Sequence, residues 1–285
     1  MTVAIEDYQA GTPTWCPGCG NFRILAALKE AFINLDKAPS EVLIVSGIGQ
    51  AGKLPQYMRC NGFNALHGRA LPLATGAKLA NHDLTVIVCG GDGDGYAEGG
   101  NHLLHTARRN IDLTYIVHNN QVYGLTKGQA SPTSAKGTLA KMTPQGSPDP
   151  LNPMAVTIAA GCSFVARSFA GDEQHLAKII EAGMLHKGFA FIDVLQPCVS
   201  FNHVNTFAWY KQRVYKLEDT DYQPHDKVAA FEKAQEWGDR IPIGILYQEN
   251  RARLEDQFTA LAEMALVKQP IDKAKVEELV TTFSL

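Results

Sequence analysis

Two polar segments of the sequence carry oxygen ligands at a spacing that could hold a hard metal ion. Residues 90–95 comprise four glycines, Asp92 and Asp94, and residues 119–120 are both asparagine. Each segment follows a short apolar run, residues 86–89 and 113–117, of the kind that forms buried parallel strands. Because parallel strands end at one edge of a sheet, we expect Asp92 and Asn120 to face one site. Mg²⁺ bound there would complete its shell with phosphate oxygens and water.

A glycine-rich turn in an ordinary nucleotide-binding sheet is the alternative for these segments. In either case the glycines let the backbone turn sharply and approach a bound group closely. A dinucleotide-binding fold is disfavoured, because no acidic residue ends a strand about 20 residues after a G-x-G-x-x-G turn.

Three of the six cysteines lie where they could bind metal or exchange electrons. Cys16 and Cys19 have C-x-x-C spacing around a proline and a glycine, and Cys198 follows the predicted strand 189–195. The first pair is compatible with a redox dithiol, with half of a metal or iron–sulfur site, or with two incidental thiols. A dithiol is disfavoured because no strand precedes Cys16. A metal site needs further ligands from elsewhere in the chain.

Two other turns could reach the same edge of the sheet. A glycine-rich turn follows the predicted strand 41–46, and its Lys53 offers a cation for a carboxylate or a phosphate. A predicted helix follows His67, Gly68 and Arg69, and the two basic side chains at its start could bind an anion. A solvated lysine and a structural histidine are the alternatives.

The segment after Asn120 has the composition of a ligand-binding loop. Residues 121–134 are rich in glycine and hydroxyl-bearing side chains and show no apolar period. Such a loop can surround a diphosphate with backbone N–H and hydroxyl donors. Thr126 and Lys127 are the predicted contacts, and a flexible surface loop is the alternative.

Apolar strands alternate with amphipathic helices along the chain, which predicts an α/β fold with a doubly wound, mostly parallel sheet. The predicted strands are 41–46, 86–89, 113–117, 163–166, 189–195 and 240–247, and the predicted helices are 22–35, 70–80, 97–110, 154–160, 173–186 and 252–266, with 54–63 irregular. Asn21 is predicted to cap the first helix. We expect one α/β domain over residues 1–205, beginning with an extended arm, and a C-terminal extension over residues 206–285 that packs on it or on a partner.

Composition narrows the class of protein. The chain has 285 residues, 45% of them hydrophobic, which is enough for a full core. Its net charge is −3, with 26 basic and 29 acidic residues and no basic block that would predict a nucleic-acid surface. No apolar run approaches the roughly 18 residues of a membrane span, and the N-terminus lacks the pattern of a secretory signal. These features predict a cytoplasmic protein with no membrane or nucleic-acid partner and with cysteines that are thiols or metal ligands.

The segment Gly91-Asp92-Gly93, the 25 residues 94–118 and Asn119-Asn120 together resemble the thiamine diphosphate motif. That resemblance implies that the side chains of Asp92 and Asn120 and the backbone carbonyl of Val122 ligate Mg²⁺. Along the chain, the motifs resemble those of the β subunits of the 2-oxoacid:ferredoxin oxidoreductases. They lie at residues 15–21, 46–49, 67–69, 91–95, 119–120, 123–126, 128–129, 131–133 and 197–198.

The family resemblance implies a thiamine diphosphate-binding fold and a defined set of cofactor contacts. The cofactor-binding residues it implies are Gly47, Ile48, Gly49, His67, Gly68, Arg69, Gly91, Asp92, Gly93, Asp94, Asn120, Val122, Gly124, Leu125 and Thr126. Lys53 and Lys127 are the candidates for the substrate carboxylate.

The same resemblance implies one [4Fe–4S] cluster, since such clusters are held by cysteine thiolates. Cys16, Cys19 and Cys198 match three of the family's ligands. The family has its remaining cysteine directly after Gly-Ile-Gly, where this sequence has Gln50. Cys60 is the nearest candidate for the fourth ligand. A three-cysteine cluster with a labile iron, or with a non-cysteine fourth ligand, is the alternative.

The implied activity is oxidative decarboxylation of a 2-oxoacid, 2-oxoglutarate or pyruvate, to acyl-CoA and CO₂. Electrons would pass through the cluster to ferredoxin, and the reverse reaction would fix CO₂. An α subunit is expected to supply the activating glutamate and the coenzyme A contacts, which makes the enzyme a heterodimer or a dimer of heterodimers. The alternatives are another thiamine diphosphate-dependent decarboxylase or synthase, and a non-catalytic electron-transfer subunit.

Overall fold

An eight-stranded sheet forms the centre of the structure, a computed structural model that describes residues 2–262 and 264–283. The strands are β1 (Val42–Ser46), β2 (Asn61–Asn64), β3 (Thr85–Gly91), β4 (Leu113–Asn119), β5 (Val122–Tyr123), β6 (Gln129–Ala130), β7 (Phe164–Phe169), β8 (Phe189–Leu195), β9 (Val214–Lys216) and β10 (Ile241–Gln248). The main sheet has the order β2-β1-β3-β4-β8-β7-β10-β9, and β5 and β6 form a separate ribbon. Of the described strand pairings in the main sheet, that of β7 with β10 alone is antiparallel.

Helices cover both faces of this sheet. They are α1 (Asn21–Asn34), α2 (Ala70–Ala80), α3 (Gly100–Arg109), α4 (Pro153–Ala159), α5 (Glu173–Leu185), α6 (Phe207–Lys211), α7 (Lys227–Ala234) and α8 (Lys273–Thr282). Side chains alternate between faces along a strand, so Ile87 packs with α1 and α5 while Val86 and Val88 pack with α2, α3, α4 and α7. The predicted doubly wound, mostly parallel sheet is thereby confirmed.

The helix after β3 begins at Gly93 rather than at residue 97. Gly93–Glu98 forms a π-helix, which continues through Gly99 into α3. The prediction missed this turn because glycine is a poor helix former and the apolar period starts later. π-helical turns are rare and occur mostly at functional sites.

The predicted cap and two predicted segments need correction. Asn21 is the first residue of α1 rather than its cap, and its Oδ1 lies 2.8 Å from His118 Nδ1. The segment 54–63 is not irregular, since it includes the end of a 3₁₀ helix (Ala51–Tyr57) and β2.

The predicted helix 252–266 is wrong for the part of this segment that the structure describes. It contains short 3₁₀ turns, Glu255–Gln257 and Thr259–Leu261, and no α-helix. Distant contacts hold it in place: the Glu255 carboxylate accepts from the backbone N–H of Asp112, and Asn110 donates to backbone carbonyls at residues 251 and 252. Such long-range bonds override local helix periodicity.

Both ends of the chain pack onto the sheet domain. The N-terminal arm buries Tyr8, whose ring stacks on Phe32 at 5.0 Å and whose hydroxyl donates to the carbonyl of Lys37 at 2.6 Å. Beyond residue 205, β9 and β10 extend the sheet, and α7 lies on one of its faces. The division of the chain at residue 205 stays a prediction.

No helix in residues 2–262 or 264–283 is both long enough and apolar enough to cross a bilayer.

Removing the Tyr8 side chain should loosen the arm that precedes the cysteine turn. We expect Tyr8→Ala to lower the free energy of unfolding by about 3–5 kcal/mol, because a fully buried ring leaves a cavity. Tyr8→Phe, which loses one hydrogen bond, should cost about 1 kcal/mol. Urea denaturation measures both, with Ile271→Ala at an exposed position as the control. Equal midpoints for Tyr8→Ala and the control would contradict the anchoring role.

Candidate active site

The carboxyl ends of β3 and β4 bring Asp92 and Asn120 to one cavity, as the sequence predicts. Asp92 is 1% exposed, and its Oδ2 accepts a hydrogen bond of 2.8 Å from the Thr133 hydroxyl. Burial raises the pKa of Asp92 to about 6. Asn120 Oδ1 accepts from the backbone N–H of Val122 at 3.0 Å. A buried carboxylate beside a half-buried amide oxygen fits a cation, whose charge would offset the cost of burial.

The cavity encloses about 90 Å³ and collects most of the predicted cofactor contacts. Ile48, Gly49, His67, Gly91, Asp92, Gly93, Asp94, Asn120, Val122, Gly124, Leu125 and Thr126 line it. Gly47, Gly68 and Arg69 do not. Cofactor sites usually enclose about 300–1,000 Å³, so the cavity is smaller than a complete site of that kind.

Asp94 ties the turn after β1 and the turn before α2 to the π-helix, three of the segments that line the cavity. Its Oδ1 accepts from the backbone N–H groups of Ile48 at 3.0 Å and Gly68 at 2.9 Å, and His67 Nδ1 lies 3.2 Å away. Burial raises the pKa of the Asp94 carboxyl, while these hydrogen bonds oppose the rise. Asp94 is thereby bonded within the protein, although it also lines the cavity.

The two glycines outside the cavity make these contacts possible. A Cβ on Gly47 would lie 1.8 Å from Asp94 Oδ2, so only glycine lets the turn after β1 approach the carboxylate. Gly68 has φ of +70° and a backbone atom of Glu98 would lie 2.4 Å from its Cβ, which also requires glycine.

Three basic residues predicted to meet anions do not line the cavity. Arg69 is exposed, and its Nη1 lies 2.7 Å from His102 Nε2. Lys53 lies in the 3₁₀ helix after β1. Lys127 is exposed in a left-handed turn with φ of +68°. Their predicted roles in binding phosphate or substrate stay predictions.

Sequence reasoning missed the polar side chains that support the cavity from outside it. The Thr133 hydroxyl lies 2.8 Å from both Asp92 Oδ2 and Asn119 Oδ1, and Asn119 donates to Asp193 Oδ1 at 3.0 Å. Tyr96 also donates to Asp193 Oδ1, at 2.6 Å. The Ser-Pro-Thr segment ending at Thr133 was a visible signal, but nothing in the sequence indicates its partners.

A second, smaller pocket contains three cysteines. Cys16, Cys19 and Cys198 all line it. Gln196 Nε2 donates to Cys19 Sγ at 3.4 Å, and burial raises the pKa of the Cys19 thiol to about 11. A bound iron cluster would oppose that rise, because iron binds the thiolate.

The cysteine pocket and the cavity share a wall. Gln50, Asn120 and Gly124 line both. Gln50 follows the turn after β1, and its backbone carbonyl accepts from Trp15 Nε1 at 2.8 Å. That bond joins the loop of the cavity to the segment that carries Cys16.

The structure does not bring Cys60 to the other three cysteines. It does not line their pocket, and its thiol donates to the carbonyl of Asn61 at 3.4 Å. The parallel register pairs Asn61 with Leu43, so Cys60 stands level with the amino end of β1, whereas Gln50 follows the carboxyl end. Burial raises the pKa of Cys60 to about 12.

Among residues 2–262 and 264–283, no three His, Cys, Asp or Glu side chains are grouped tightly enough to hold a single metal ion. This geometry is compatible with a magnesium site that uses one carboxylate, one amide oxygen and a backbone carbonyl. It is also compatible with a cluster, whose cysteine ligands surround four irons rather than one.

Family models match most of the chain. The model described as "Thiamine pyrophosphate enzyme, C-terminal TPP binding domain" matches residues 47–194. A model of the C-terminal part of the pyruvate ferredoxin oxidoreductase beta subunit matches residues 198–263. The first match spans the turn after β1, the segments that carry Asp92 and Asn120, and β8 as far as Val194. Thiamine pyrophosphate is another name for thiamine diphosphate.

Named relatives agree with these models. The chain is 46% identical over 277 residues to the 2-oxoacid:ferredoxin oxidoreductase subunit beta of Sulfolobus sp., covering 91% of each chain. It is 49% identical over 244 residues to subunit beta of the 2-oxoacid:ferredoxin oxidoreductase 1 of Aeropyrum pernix, covering 82% of this chain and 77% of the relative.

A solved structure matches nearly the whole fold. It is that of the 2-oxoglutarate:ferredoxin oxidoreductase from Magnetococcus marinus with 2-oxoglutarate, coenzyme A and succinyl-CoA bound. The TM-score is 0.90 at 37% identity, covering 97% of this chain and 96% of that chain.

Neutralising Asp94 should loosen the loops around the cavity. We expect Asp94→Asn to lower the free energy of unfolding by about 2–3 kcal/mol, because hydrogen bonds to a charged group contribute about 1.5–3 kcal/mol each and one amide oxygen remains. Asp149→Asn is the matched control: it changes an exposed ion pair with Lys136 and should stay within about 0.5 kcal/mol. Equal unfolding midpoints for the two variants in urea would rule out the tying role of Asp94.

Proposed function

This chain belongs to the β subunits of the 2-oxoacid:ferredoxin oxidoreductases, and we propose that it holds both redox cofactors of such an enzyme. The reaction is the oxidative decarboxylation of a 2-oxoacid to acyl-CoA and CO₂, with electrons leaving to ferredoxin. The observation that carries the proposal is the shared wall between the cavity at Asp92 and the pocket of three cysteines. An electron donor and an electron acceptor bound there would lie on either side of Gln50, Asn120 and Gly124.

Mg²⁺ and the diphosphate of the cofactor are assigned to the cavity. Asp92, Asn120 and the carbonyl of Val122 would ligate the ion, which fits the buried carboxylate and its raised pKa. The backbone N–H groups at the start of the π-helix lack partners one turn earlier in the helix, so they can face phosphate oxygens. Thr126 adds a hydroxyl at the rim. Thiamine diphosphate, when bound, supplies the electron sink for decarboxylation.

A [4Fe–4S] cluster is assigned to the cysteine pocket, with Cys16, Cys19 and Cys198 as thiolate ligands. The N–H of Gln196 toward Cys19 Sγ supports this, because hydrogen bonds to sulfur stabilise thiolates and tune such clusters. The position of Cys60 at the far end of β1 does not support it as the fourth ligand.

An α subunit is assigned to the open side of both pockets. Around them, Ile48, Leu125, Val199 and Phe201 are 39–45% exposed. Large apolar side chains grouped at a rim are typical of a protein interface. The α subunit would complete the cofactor site and supply the activating glutamate and the coenzyme A contacts. The related structure from Magnetococcus marinus contains coenzyme A.

The substrate is proposed to be 2-oxoglutarate or pyruvate, and the reverse reaction would fix CO₂. Lys127, next to Thr126 at the rim, and Lys53, in the helix after β1, are retained as candidates for the substrate carboxylate. We propose a cytoplasmic enzyme that binds neither membrane nor nucleic acid.

The test uses the chain co-expressed with its α subunit and purified without oxygen. We expect 2-oxoglutarate or pyruvate, with coenzyme A, to drive reduction of methyl viologen, and omission of coenzyme A to suppress turnover. If no 2-oxoacid in a panel supports viologen reduction by a complex that retains its cofactors, the proposal fails.

Two variants of that complex separate the roles of the two pockets. Asp92→Ala should lower turnover more than about 100-fold and release thiamine diphosphate, because metal affinity is lost. Cys198→Ser should keep thiamine diphosphate but lose the broad visible absorbance of the cluster and viologen reduction. Cofactor content and visible spectra are measured in both, with Cys162→Ser, a buried thiol in neither pocket, as control. If Cys198→Ser loses thiamine diphosphate and the Cys162→Ser control retains it, the two pockets do not have separate roles.

A further inference from the structure

Two buried glutamine oxygens in the cysteine pocket have no hydrogen-bond partner among the residues that the structure describes. Gln50 and Gln196 both line the pocket, and the Oε1 atom of each is buried and unpaired. Leaving a buried amide oxygen without a partner is destabilising, because the desolvation of the oxygen is not offset by a hydrogen bond. A group bound in the pocket would supply the missing partner.

The two glutamines differ in what else holds them. The side chain of Gln196 is already engaged, since its Nε2 donates to Cys19 Sγ at 3.4 Å and to the carbonyl of Pro197 at 3.2 Å. A Cβ on Gly20 would lie 2.7 Å from the same side chain, which is therefore packed against the cysteine turn. Gln196 is thus a hydrogen-bond donor to a thiol.

Gln50 is anchored through its backbone, by the bond from Trp15 Nε1 to its carbonyl. It lines both the cysteine pocket and the cofactor cavity. Its side-chain oxygen is buried and has no hydrogen bond inside the described part of the chain.

Other side chains of the pocket are less suited to complete a set of ligands. Asn21 Oδ1 is engaged by His118 Nδ1 at 2.8 Å, and Asn120 Oδ1 accepts from the N–H of Val122. Among the described residues, the cysteines that line the pocket are Cys16, Cys19 and Cys198. The candidate ligands of the pocket are therefore three thiols, the unpaired amide oxygens of Gln50 and Gln196, and the Ser200 hydroxyl. The Gln196 side chain is already held by bonds from its Nε2 to Cys19 and Pro197, whereas Gln50 lines both pockets.

We propose that Gln50 Oε1 occupies the fourth corner of the iron–sulfur site, an inference that rests on the proposed function. Three irons would be held by thiolates and the fourth by a neutral oxygen. Thiolates are the preferred ligands of iron in such clusters, so the oxygen-bound iron is the exchangeable one. Replacing a thiolate by a neutral amide also makes the cluster less negative, which raises its reduction potential.

The exchangeable iron gives the proposal a distinct chemical signature. One-electron oxidation of [4Fe–4S]²⁺ yields [3Fe–4S]⁺ and one released Fe²⁺, and added ferricyanide accepts the electron. A cube held by four thiolates resists this loss. The three-iron product has its own EPR spectrum, so the step is observed without measuring turnover.

The experiment compares the wild-type αβ complex with Gln50→Cys, Gln50→Ala and Gln196→Cys, all purified without oxygen. On ferricyanide titration the wild type should release one Fe²⁺ per cluster and show the three-iron EPR signal. Gln50→Cys should lower that signal at least about tenfold and shift the midpoint potential to more negative values, because a fourth thiolate is present. Gln50→Ala should lose iron faster than the wild type.

Gln196→Cys is the matched control, because it makes the same substitution in the same pocket. It should still form the three-iron cluster. If it protects the fourth iron and Gln50→Cys does not, Gln196 lies at the position of the fourth ligand and the proposal is wrong. A wild-type cluster that resists iron loss as firmly as Gln50→Cys also overturns it.

Two further outcomes separate this proposal from the one on which it rests. Wild-type complex without iron and sulfide would overturn the cluster itself, and with it the role of Gln50. If Gln50→Cys does not fold, Mössbauer spectra of the wild type decide: one iron of the cube distinct from the other three supports an oxygen ligand, and four equivalent irons exclude it.

Discussion

One buried carboxylate holds the site together. Asp94 accepts hydrogen bonds from the turn after β1 and from the turn before α2, and it belongs to the π-helix that follows β3. Ile48 in the first turn lies 46 residues before Asp94 in the sequence, and Gly68 in the second lies 26 residues before it. Hydrogen bonds from N–H donors to a charged acceptor are stronger than the same bonds to a neutral acceptor. The positions of the turn after β1 and the turn before α2 therefore depend on the Asp94 carboxyl group.

A second buried network lies behind the edge of the sheet that carries Asp92 and Asn120. Asp193 on β8 accepts from Asn119 and Tyr96, and Arg167 on β7 lies 3.8 Å from it. Burial raises the pKa of Asp193 and lowers that of Arg167, and the opposite charge of the partner opposes both shifts. Through Asn119 and Thr133 the network reaches Asp92, which leaves Asn120 to turn toward the cavity. The adjacent asparagines thus have different surroundings, since Asn119 is bonded within the network and Asn120 lines the cavity.

The sheet and the convergence of Asp92 and Asn120 at its edge could be predicted from the sequence, because both follow from short-range patterns. Apolar runs mark β1, β3, β4 and β8, and parallel strands have their carboxyl ends at a common edge, so the amino-acid pattern alone is enough to pair Asp92 with Asn120. The family resemblance added the cofactor, which spacing alone left open.

What the sequence could not predict depends on contacts between distant residues. Nothing in the segment around residue 94 shows that its carboxylate binds the turns after β1 and before α2. Proximity in sequence favoured Cys60, whereas the parallel register of β2 places it at the opposite end of β1 from Gln50. The segment after residue 250 has helical periodicity, but bonds to Asn110 and Asp112 hold it in short 3₁₀ turns.

The shared wall implies that the turn after β1 controls both halves of the proposed reaction. The backbone N–H of Ile48 binds Asp94 on the cavity side, and two residues later the carbonyl of Gln50 binds Trp15 on the cysteine side. A movement of this turn would displace the cofactor wall and the fourth corner of the cysteine pocket together. The apolar rim around both pockets faces outward, so water can be excluded from them only when another surface covers the rim. Electrostatic interactions in a water-excluded site are stronger than in solvent, and we therefore expect electron transfer between the two pockets to be a property of the assembled enzyme rather than of this chain alone.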